Sequence, residues 1–392
     1  MDLKCNVKPY LDGLPGFAES SPAAAYSHCS GMFMDQERKT NQATVKDIAR
    51  EAGVSATAVS LALKDPDSSR ISVETREKIL EIAKRLNYRP NYIARSLVTR
   101  KTQHTIGLVL STLTNPFYAE IAQDIIERAQ EKNYSVFTCS VQGSSQEQIV
   151  EGLLDRGVDG LIVCSAVRND PMIASLNKRG IPFTLAMRNV NQDTGDPPVD
   201  CVVIDNSRGA FMATDHLVRL GHVRIALLGG PDDISTAFER RAGFLAALAA
   251  HDLTPCPELM VEGDFSRASG ARCAREFFRG GNRPTAIFAV NDHMAIGVME
   301  ALREAGVRVP EDMAVMGFDD IEMAGLPGID LTTISQKKSV MGRLAVDRLI
   351  DKIENKTVDL ATRVILDPKL VIRRTCGYRL QNGYPAQNPG SV

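Results

Sequence analysis

Two adjacent carboxylates, Asp319 and Asp320, close the apolar run "MAVMGFDD" and are the nearest approach in this chain to a paired acid/base site. Acid–base cleavage needs two carboxyl groups aimed at one bond. Neighbours on an extended strand point to opposite faces, so these two are not expected to converge on one atom. Asp292, just before "HMAIGV", reads as the cap of a helix starting at His293. His216 and His222 have no Cys or Glu at metal-ligand spacing and read as structural residues, so no metal site is expected. Cys5, Cys29, Cys139, Cys164, Cys201, Cys256, Cys273 and Cys376 include no C-x-x-C pair. Several sit in apolar runs such as "GLIVCS", which suits buried reduced thiols better than a disulfide frame or zinc. "GGP" is a turn, because no G-x-x-x-x-G-K follows it. Neither a nucleophile with its base nor a cofactor is implied.

A different chemistry lies near the N-terminus. Thr44 with Asp47 forms a carboxylate variant of the capping box before a helix over "VKDIAREA". Gly53 allows the turn, and Ser55 caps a second helix, "ATAVSLAL". Val59, Ala62 and Leu63 would be buried, leaving Ala56, Thr57, Ser60, Leu61 and Lys64 outward. Such a face suits entry into a DNA groove about 12 Å wide. Arg50, Arg70, Lys84, Arg89 and Arg95 are placed to reach phosphates. Residues 44–101 hold 12 Lys and Arg against 7 Asp and Glu, although the whole chain has a formal charge of −2. A basic stretch on an acidic body is expected of a nucleic-acid contact. On these residues alone, DNA binding is favoured over the alternative of a generic three-helix protein-interaction module.

The elements around these residues define the architecture. A length of 392 residues allows two or three domains at about 100–200 residues each. Residues 1–42 show neither helical nor strand period and are expected to be a disordered extension, which a start at Met32 or Met34 would largely remove. They contain no signal-peptide pattern, and no apolar run reaches the roughly 18 residues of a membrane span, so a cytoplasmic protein with no membrane partner is expected. Ser72 caps a third helix, "VETREKILEIAKRL", and Pro90 ends a domain over 43–90. "NYIARSLVTRKT", residues 91–102, is a basic amphipathic linker. From Thr105 nine β-rich runs alternate with helical stretches. The runs are almost continuously apolar, so they predict strands covered on both faces, in parallel sheets flanked by helices. Nine units exceed one small sheet, which predicts two doubly wound lobes with a ligand crevice at the strands' carboxyl ends.

The segment "TVKDIAREAGVSATAVSLALKDPDSSRISVETREKILEIAKRLNYRPNYIARSL" resembles the headpiece of the LacI (lactose repressor) family of bacterial transcription regulators. The likeness continues in order through "NPFYAEIA", "GVDGLIV", "IDNSRGAFMATDHLVRLGHVRIALLGGP", "ERRAGFLAAL", "EGDFS", "PTAIFAVNDHMAIGVMEAL", "VPEDMAVMGFDD" and "LTTISQ". It implies an α plus α/β protein: a helix-turn-helix headpiece followed by a two-lobed periplasmic-binding-protein-like core. That core would span 103–376, with one lobe at 103–205 plus 335–360, the other at 206–334 plus 361–376, and a flexible tail at 377–392. The resemblance implies a homodimer on a pseudo-palindromic operator in double-stranded DNA. Contacts would come from Thr44, Ser55, Ala56, Thr57, Ser60, Leu61, Lys64, Arg89, Asn91, Arg95 and Leu97. "NYIARSL" would be a hinge helix, with Leu97 as the wedge that unstacks a central base step. The family usually has Thr where Ala58 stands, and often Arg or His where Leu61 stands. Leu61 cannot bond a guanine but could pack on a thymine methyl, so the operator sequence does not transfer from relatives.

The resemblance also implies an effector site formed by Asn115, Phe117, Arg188, Arg240, Phe265, Asn291, Asp292 and Asp319. Amides, carboxylates and guanidinium groups suit hydroxyls, and Phe265 could cover the apolar face of a pyranose, so a small sugar is expected. A nucleobase acting as corepressor is the alternative, and Met187 stands where the family often has Asp. Three functions compete: an effector-controlled repressor, a solute-binding receptor, and a sugar-processing enzyme. A receptor has no use for a basic helix-turn-helix, and an enzyme lacks its acid/base pair here. The tail after Gly377 carries no leucine heptad, so a dimer and not a tetramer is expected. Met341, Leu344, Ala345 and Leu349 form either an interface stripe or a core face.

Overall fold

The computed structural model describes residues 43–64, 70–88, 102–190, 199–279, 283–354 and 362–378. The expected extension over 1–42, nearly all of the linker, and most of the tail lie outside them. So do Arg89, Asn91, Arg95 and Leu97. The chain divides into two compact units, Met1–Asn91 and Tyr92–Val392.

The first unit has three helices: α1 (Val45–Ala52), α2 (Ala56–Lys64) and α3 (Val73–Arg85). Ile48, Ala49 and Ala52 of α1 pack with Val59 and Ala62 of α2 and with Ile79, Ile82 and Ala83 of α3. Thr44 closes the capping box with Asp47: its hydroxyl accepts from Asp47 N at 3.3 Å, and its own N–H donates to Asp47 Oδ2 at 2.9 Å. Gly53 ends α1 at φ +71° with no atom near the position of a Cβ, so backbone conformation and not space requires glycine. Ser55 Oγ accepts from Ala58 N at 3.2 Å, and Ser72 Oγ from Thr75 N at 3.3 Å. Arg85 pairs with Glu51, which ties α3 to α1.

In the second unit a six-stranded parallel sheet has the order β11-β5-β4-β3-β1-β2. Its strands are β1 (Thr105–Leu110), β2 (Ser135–Ser140), β3 (Gly160–Val163), β4 (Phe183–Ala186), β5 (Cys201–Ile204) and β11 (Arg363–Leu366). Four helices serve it: α4 (Pro116–Glu131), α5 (Gln146–Asp155), α6 (Pro171–Lys178) and α11 (Lys338–Ile353). The second sheet, order β7-β6-β8-β9, is built from β6 (Ile225–Gly229), β7 (Met260–Glu262), β8 (Ala286–Ala289) and β9 (Ala314–Met316). Its helices are α7 (Asn206–Arg219), α8 (Ser235–Ala250), α9 (Arg267–Arg279) and α10 (Asp292–Glu304). β10 (Thr333–Ser335) and β12 (Lys369–Val371) form an antiparallel pair. β1 is buried at five of six positions and β3, β4, β5 and β8 throughout, as strands sandwiched between helices must be.

Two details differ from the sequence reading. β11 pairs in parallel with β5, from Arg363 with Cys201 to Leu366 with Ile204. Residues 363–366 therefore belong to the first lobe, although the expected boundary put 361–376 in the second. A four-residue strand added at a sheet edge gives no signal of its lobe. Met341, Ala345 and Leu349 are fully buried, with Leu344 packed against the same core, so this stripe on α11 is a core face and not an interface.

Candidate functional site

On the first unit, Thr44, Ser55, Ala56, Thr57 and Ser60 are exposed, with the apolar side of α2 turned inward. Leu61 is half-buried and not fully outward as expected. Lys64 ends α2. Arg50 and Lys84 are exposed, and Arg50 lies 3.3 Å from Asp47.

In the core, a cleft is lined by Asn115, Phe117, Tyr118, Met187, Arg188, Thr236, Arg240, Phe265, Asn291, Asp319 and Gln336. Of the effector residues expected from sequence, only Asp292 is not on its wall. Asn115 stands at the end of β1 and caps α4, its Oδ1 accepting from Phe117 N at 3.1 Å. Phe117 and Tyr118 follow, packed edge-to-face at 6.1 Å between ring centroids. Arg188 follows β4 and is 6% exposed. Its Nη2 donates to the Tyr118 hydroxyl at 2.9 Å, and its Nη1 to the carbonyl oxygens of Ser165 at 3.1 Å and Ala166 at 3.4 Å.

The opposite wall belongs mostly to the second lobe. Arg240 Nε donates to Asn206 Oδ1 at 2.9 Å, and Nη1 to the carbonyl of Val290 at 2.5 Å. Its guanidinium lies 3.7 Å from the Phe318 ring centroid. Asp319 Oδ1 is 3.6 Å from Arg240 Nη1 and accepts from Gln336 Nε2. Gln336 Oε1 is buried and has no hydrogen-bond partner among the described residues. Asn291 caps α10 through Met294 N at 2.9 Å while its Nδ2 donates to the Phe265 carbonyl at 3.0 Å. A Cβ on Gly230 would meet the Phe265 ring, which would have to shift to admit it.

Three non-glycine residues of this wall take left-handed backbone angles: Met187 at φ +70°, Phe265 at +65° and Asp319 at +136°. Such conformations persist where surrounding structure enforces them, and they gather at ligand sites. Burial pushes Asp319 above the ordinary carboxylate value, and Arg240 opposes without cancelling. Burial likewise lowers Arg240 to about 10.

Asp292 is fully buried behind the wall. Its carboxylate accepts from Thr333 Oγ1 at 2.5 Å and from Ile321 N at 3.0 Å. The residue capping α10 is Asn291, one position earlier than expected, and Asp292 fastens the loop after β9 instead. Asp319 and Asp320 diverge as expected, for Asp320 pairs with Arg373 at 2.7 Å. The physical reason is local, since both residues have positive φ and neither continues a regular strand. His216 shares a hydrogen bond with Cys376 Sγ at 3.3 Å, and His222 Nδ1 one with Thr285 Oγ1 at 3.0 Å. Among the described residues no cluster of His, Cys, Asp and Glu could hold a metal, and no helix is long and apolar enough to cross a membrane.

Tyr118, Thr236 and Gln336 were not anticipated. Tyr118 adjoins Phe117 in "NPFY" and Gln336 ends "LTTISQ", so both motifs were in view without their inward residue being singled out.

Comparison with known proteins agrees with this geometry. Residues 44–91 match the family described as bacterial regulatory proteins, lacI family. Residues 103–373 match periplasmic binding proteins and sugar binding domain of LacI family. The chain is 35% identical over 339 residues to the HTH-type transcriptional repressor PurR of Haemophilus influenzae (strain PittEE), covering 85% of this chain and 98% of that protein. The lac repressor dimer bound to operator and the anti-inducer ONPF matches with a TM-score of 0.75 and 32% identity, covering 85% of this chain and 99% of that one. The transcriptional regulator CelR–cellobiose complex matches with a TM-score of 0.64 and 30% identity, again over 85% and 99%. A DNA-reading helical unit joined to a two-sheet core with a polar cleft thus has its counterpart in proteins of known kind, and the chain belongs to the LacI family of bacterial regulatory proteins.

Proposed function

We propose that this repressor is controlled by a small sugar bound between its two lobes. The coarser function is plain from the family: the chain is a DNA-binding transcriptional repressor, not an enzyme, and LacI-family repressors act as dimers on an operator and answer to a small-molecule effector. The observation that carries the sugar reading is the grouping of Arg240, Asn291, Asp319 and Gln336 around one cleft with the Phe265 ring. Vicinal hydroxyls act as donor and acceptor at once, and such a set of fixed polar groups rejects analogues that lack them. The relatives named PurR favour a second reading, a nucleobase.

On the DNA side, Ser55, Ala56, Thr57, Ser60, Leu61 and Lys64 would face the major groove, with Thr44, Arg89, Asn91 and Arg95 on the backbone and Leu97 wedged into the minor groove. Ligand binding would shift the lobes between two arrangements in proportion to its differential affinity for them. A Leu97→Ala protein that binds and bends operator like wild type would remove the wedge from this account. The effector test is thermal unfolding against neutral mono- and disaccharides beside hypoxanthine and guanine. A ligand at 100 times its dissociation constant adds about 2.7 kcal/mol to native stability. A shift with a sugar supports the reading, and a shift with a purine alone replaces it.

A further inference from the structure

Arg188 is a buried cation whose hydrogen-bond partners are all neutral. They are the carbonyls of Ser165 and Ala166 and the hydroxyl of Tyr118. Among the described residues no carboxylate lies within the 4.0 Å of an ion pair with it. The adjacent Cys164 offers no compensating thiolate, because burial pushes its thiol up to about 12. Acids in the surroundings are engaged elsewhere. Asp170 caps α6 and accepts from Gln146 Nε2 at 2.9 Å, while Glu239 accepts from Asn189 at 2.9 Å and Asn206 at 2.8 Å. The acid on the cleft wall, Asp319, belongs with Arg240.

The cleft is therefore polarised. One wall carries a guanidinium with no acid at ion-pair distance among the described residues, while the other carries a guanidinium 3.6 Å from the Asp319 carboxyl and bonded to the Asn206 amide and the Val290 carbonyl. A charge held away from water without a counter-charge is unfavourable, so a fold that keeps one at a ligand cleft suits an anionic ligand.

We infer that the effector is an anionic sugar, a sugar acid or a sugar phosphate, whose charged group lies on Arg188 and whose hydroxyls meet Arg240, Asn291, Asp319 and Gln336. The inference rests on the sugar reading above. The chemistry fits the donor set: a guanidinium fork matches carboxylate or phosphate oxygens in pairs. The bonds to Ser165, Ala166 and Tyr118 use at most three of its five N–H donors, and none of them involves Nε. Those same bonds hold the side chain in place before the ligand arrives, so little freedom is lost on binding.

The test is calorimetric titration of the full chain with D-gluconate, D-glucuronate, D-galacturonate and glucose 6-phosphate, with D-glucose and D-galactose as neutral parents. One anion should bind about ten- to a hundredfold more tightly than its parent, the range of a charged hydrogen bond. Which anion does so separates carboxylate from phosphate. Arg188→Met should bring the anion down to the affinity of its parent, and Arg188→Lys should keep part of the preference. If Arg188→Met does not fold, Arg188→Lys and the wild-type ratio of anion to parent decide. A neutral parent binding as well as its anion, or a preference retained in Arg188→Met, overturns the inference and leaves the sugar reading standing. No response to any of the four anions also overturns it. A response to hypoxanthine alone, titrated in the same way, overturns both.

Discussion

Arg240 Nη1 lies 3.6 Å from Asp319 Oδ1, and both side chains are only 4% exposed. The pair sits between Phe318, under the guanidinium, and Gln336, on the carboxylate. Above the pH at which buried Asp319 ionises both groups are charged, and removing one partner then leaves the other charge unmatched, at about 3–5 kcal/mol. Arg240→Met should lose stability in that range, read as a lower denaturant midpoint. The double variant Arg240→Met with Asp319→Asn should be less destabilised than the sum of its parts. Additive losses would show that the two side chains do not interact.

Asp319 also makes stability depend on pH. Burial raises its carboxyl above the ordinary 3.8 despite Arg240, and burial raises Asp292 in the same direction. The folded chain then holds a proton that the unfolded chain releases, so stability falls as pH rises from the ordinary carboxylate value through the raised one. Acids with lowered values, such as Glu131 beside Arg343, act in the opposite sense. The comparison of wild type with Asp319→Asn isolates the effect. The variant should lose less of its thermal midpoint than wild type over that window, and parallel curves would refute the assignment.

Much of the core was legible in the sequence because β1, β3, β4, β5, β6, β8 and β9 are largely covered on both faces, whereas the edge strands β2 and β7 are partly exposed, contrary to that expectation. All nine apolar runs became strands, whereas β10, β11 and β12 were missed. Each has only three or four residues, and "RVIL" and "KLV" are partly exposed strands with no more than three consecutive apolar residues. The cleft residues followed from motif order, but their partners did not. Tyr118 and Arg188 are 70 positions apart, and no local pattern announces that a phenol will support that guanidinium. Asn291 and Asp292 show the limit at single-residue scale. The sequence placed both on the cleft, and only the start of α10 decides that Asn291 faces it while Asp292 turns behind.

Helices α7 and α8 meet closely enough to require glycine. A Cβ on Gly243 would stand 2.1 Å from the Ser207 carbonyl oxygen and 2.9 Å from Ala210 Cβ. The nearest obstacle is backbone, which cannot swing aside like the end of a side chain. Gly243→Ala should cost about 1–3 kcal/mol by forcing the helices apart. Because α8 carries Arg240, effector affinity should fall with it. An unchanged melting temperature would mean that the two helices separate freely.

The capping box of the DNA-reading unit makes a separate prediction. Thr44 and Asp47 satisfy each other's backbone groups at the start of α1, and Asp47 is held below its ordinary value chiefly by its hydrogen bond with the Thr44 side chain. A group lowered in the folded state contributes stability above its unfolded value and loses it as pH falls through the folded one. Thr44→Ala should weaken the unit by about 1 kcal/mol at neutral pH and reduce its acid sensitivity. Amide exchange at Ile48 and Ala49 in the full chain reads this directly, since both residues lie in the helical core. Operator affinity should fall in parallel, because α2 is positioned only when α1 and α3 are formed. Faster exchange with undiminished operator binding would show that the cap stabilises α1 without helping to hold α2 for DNA.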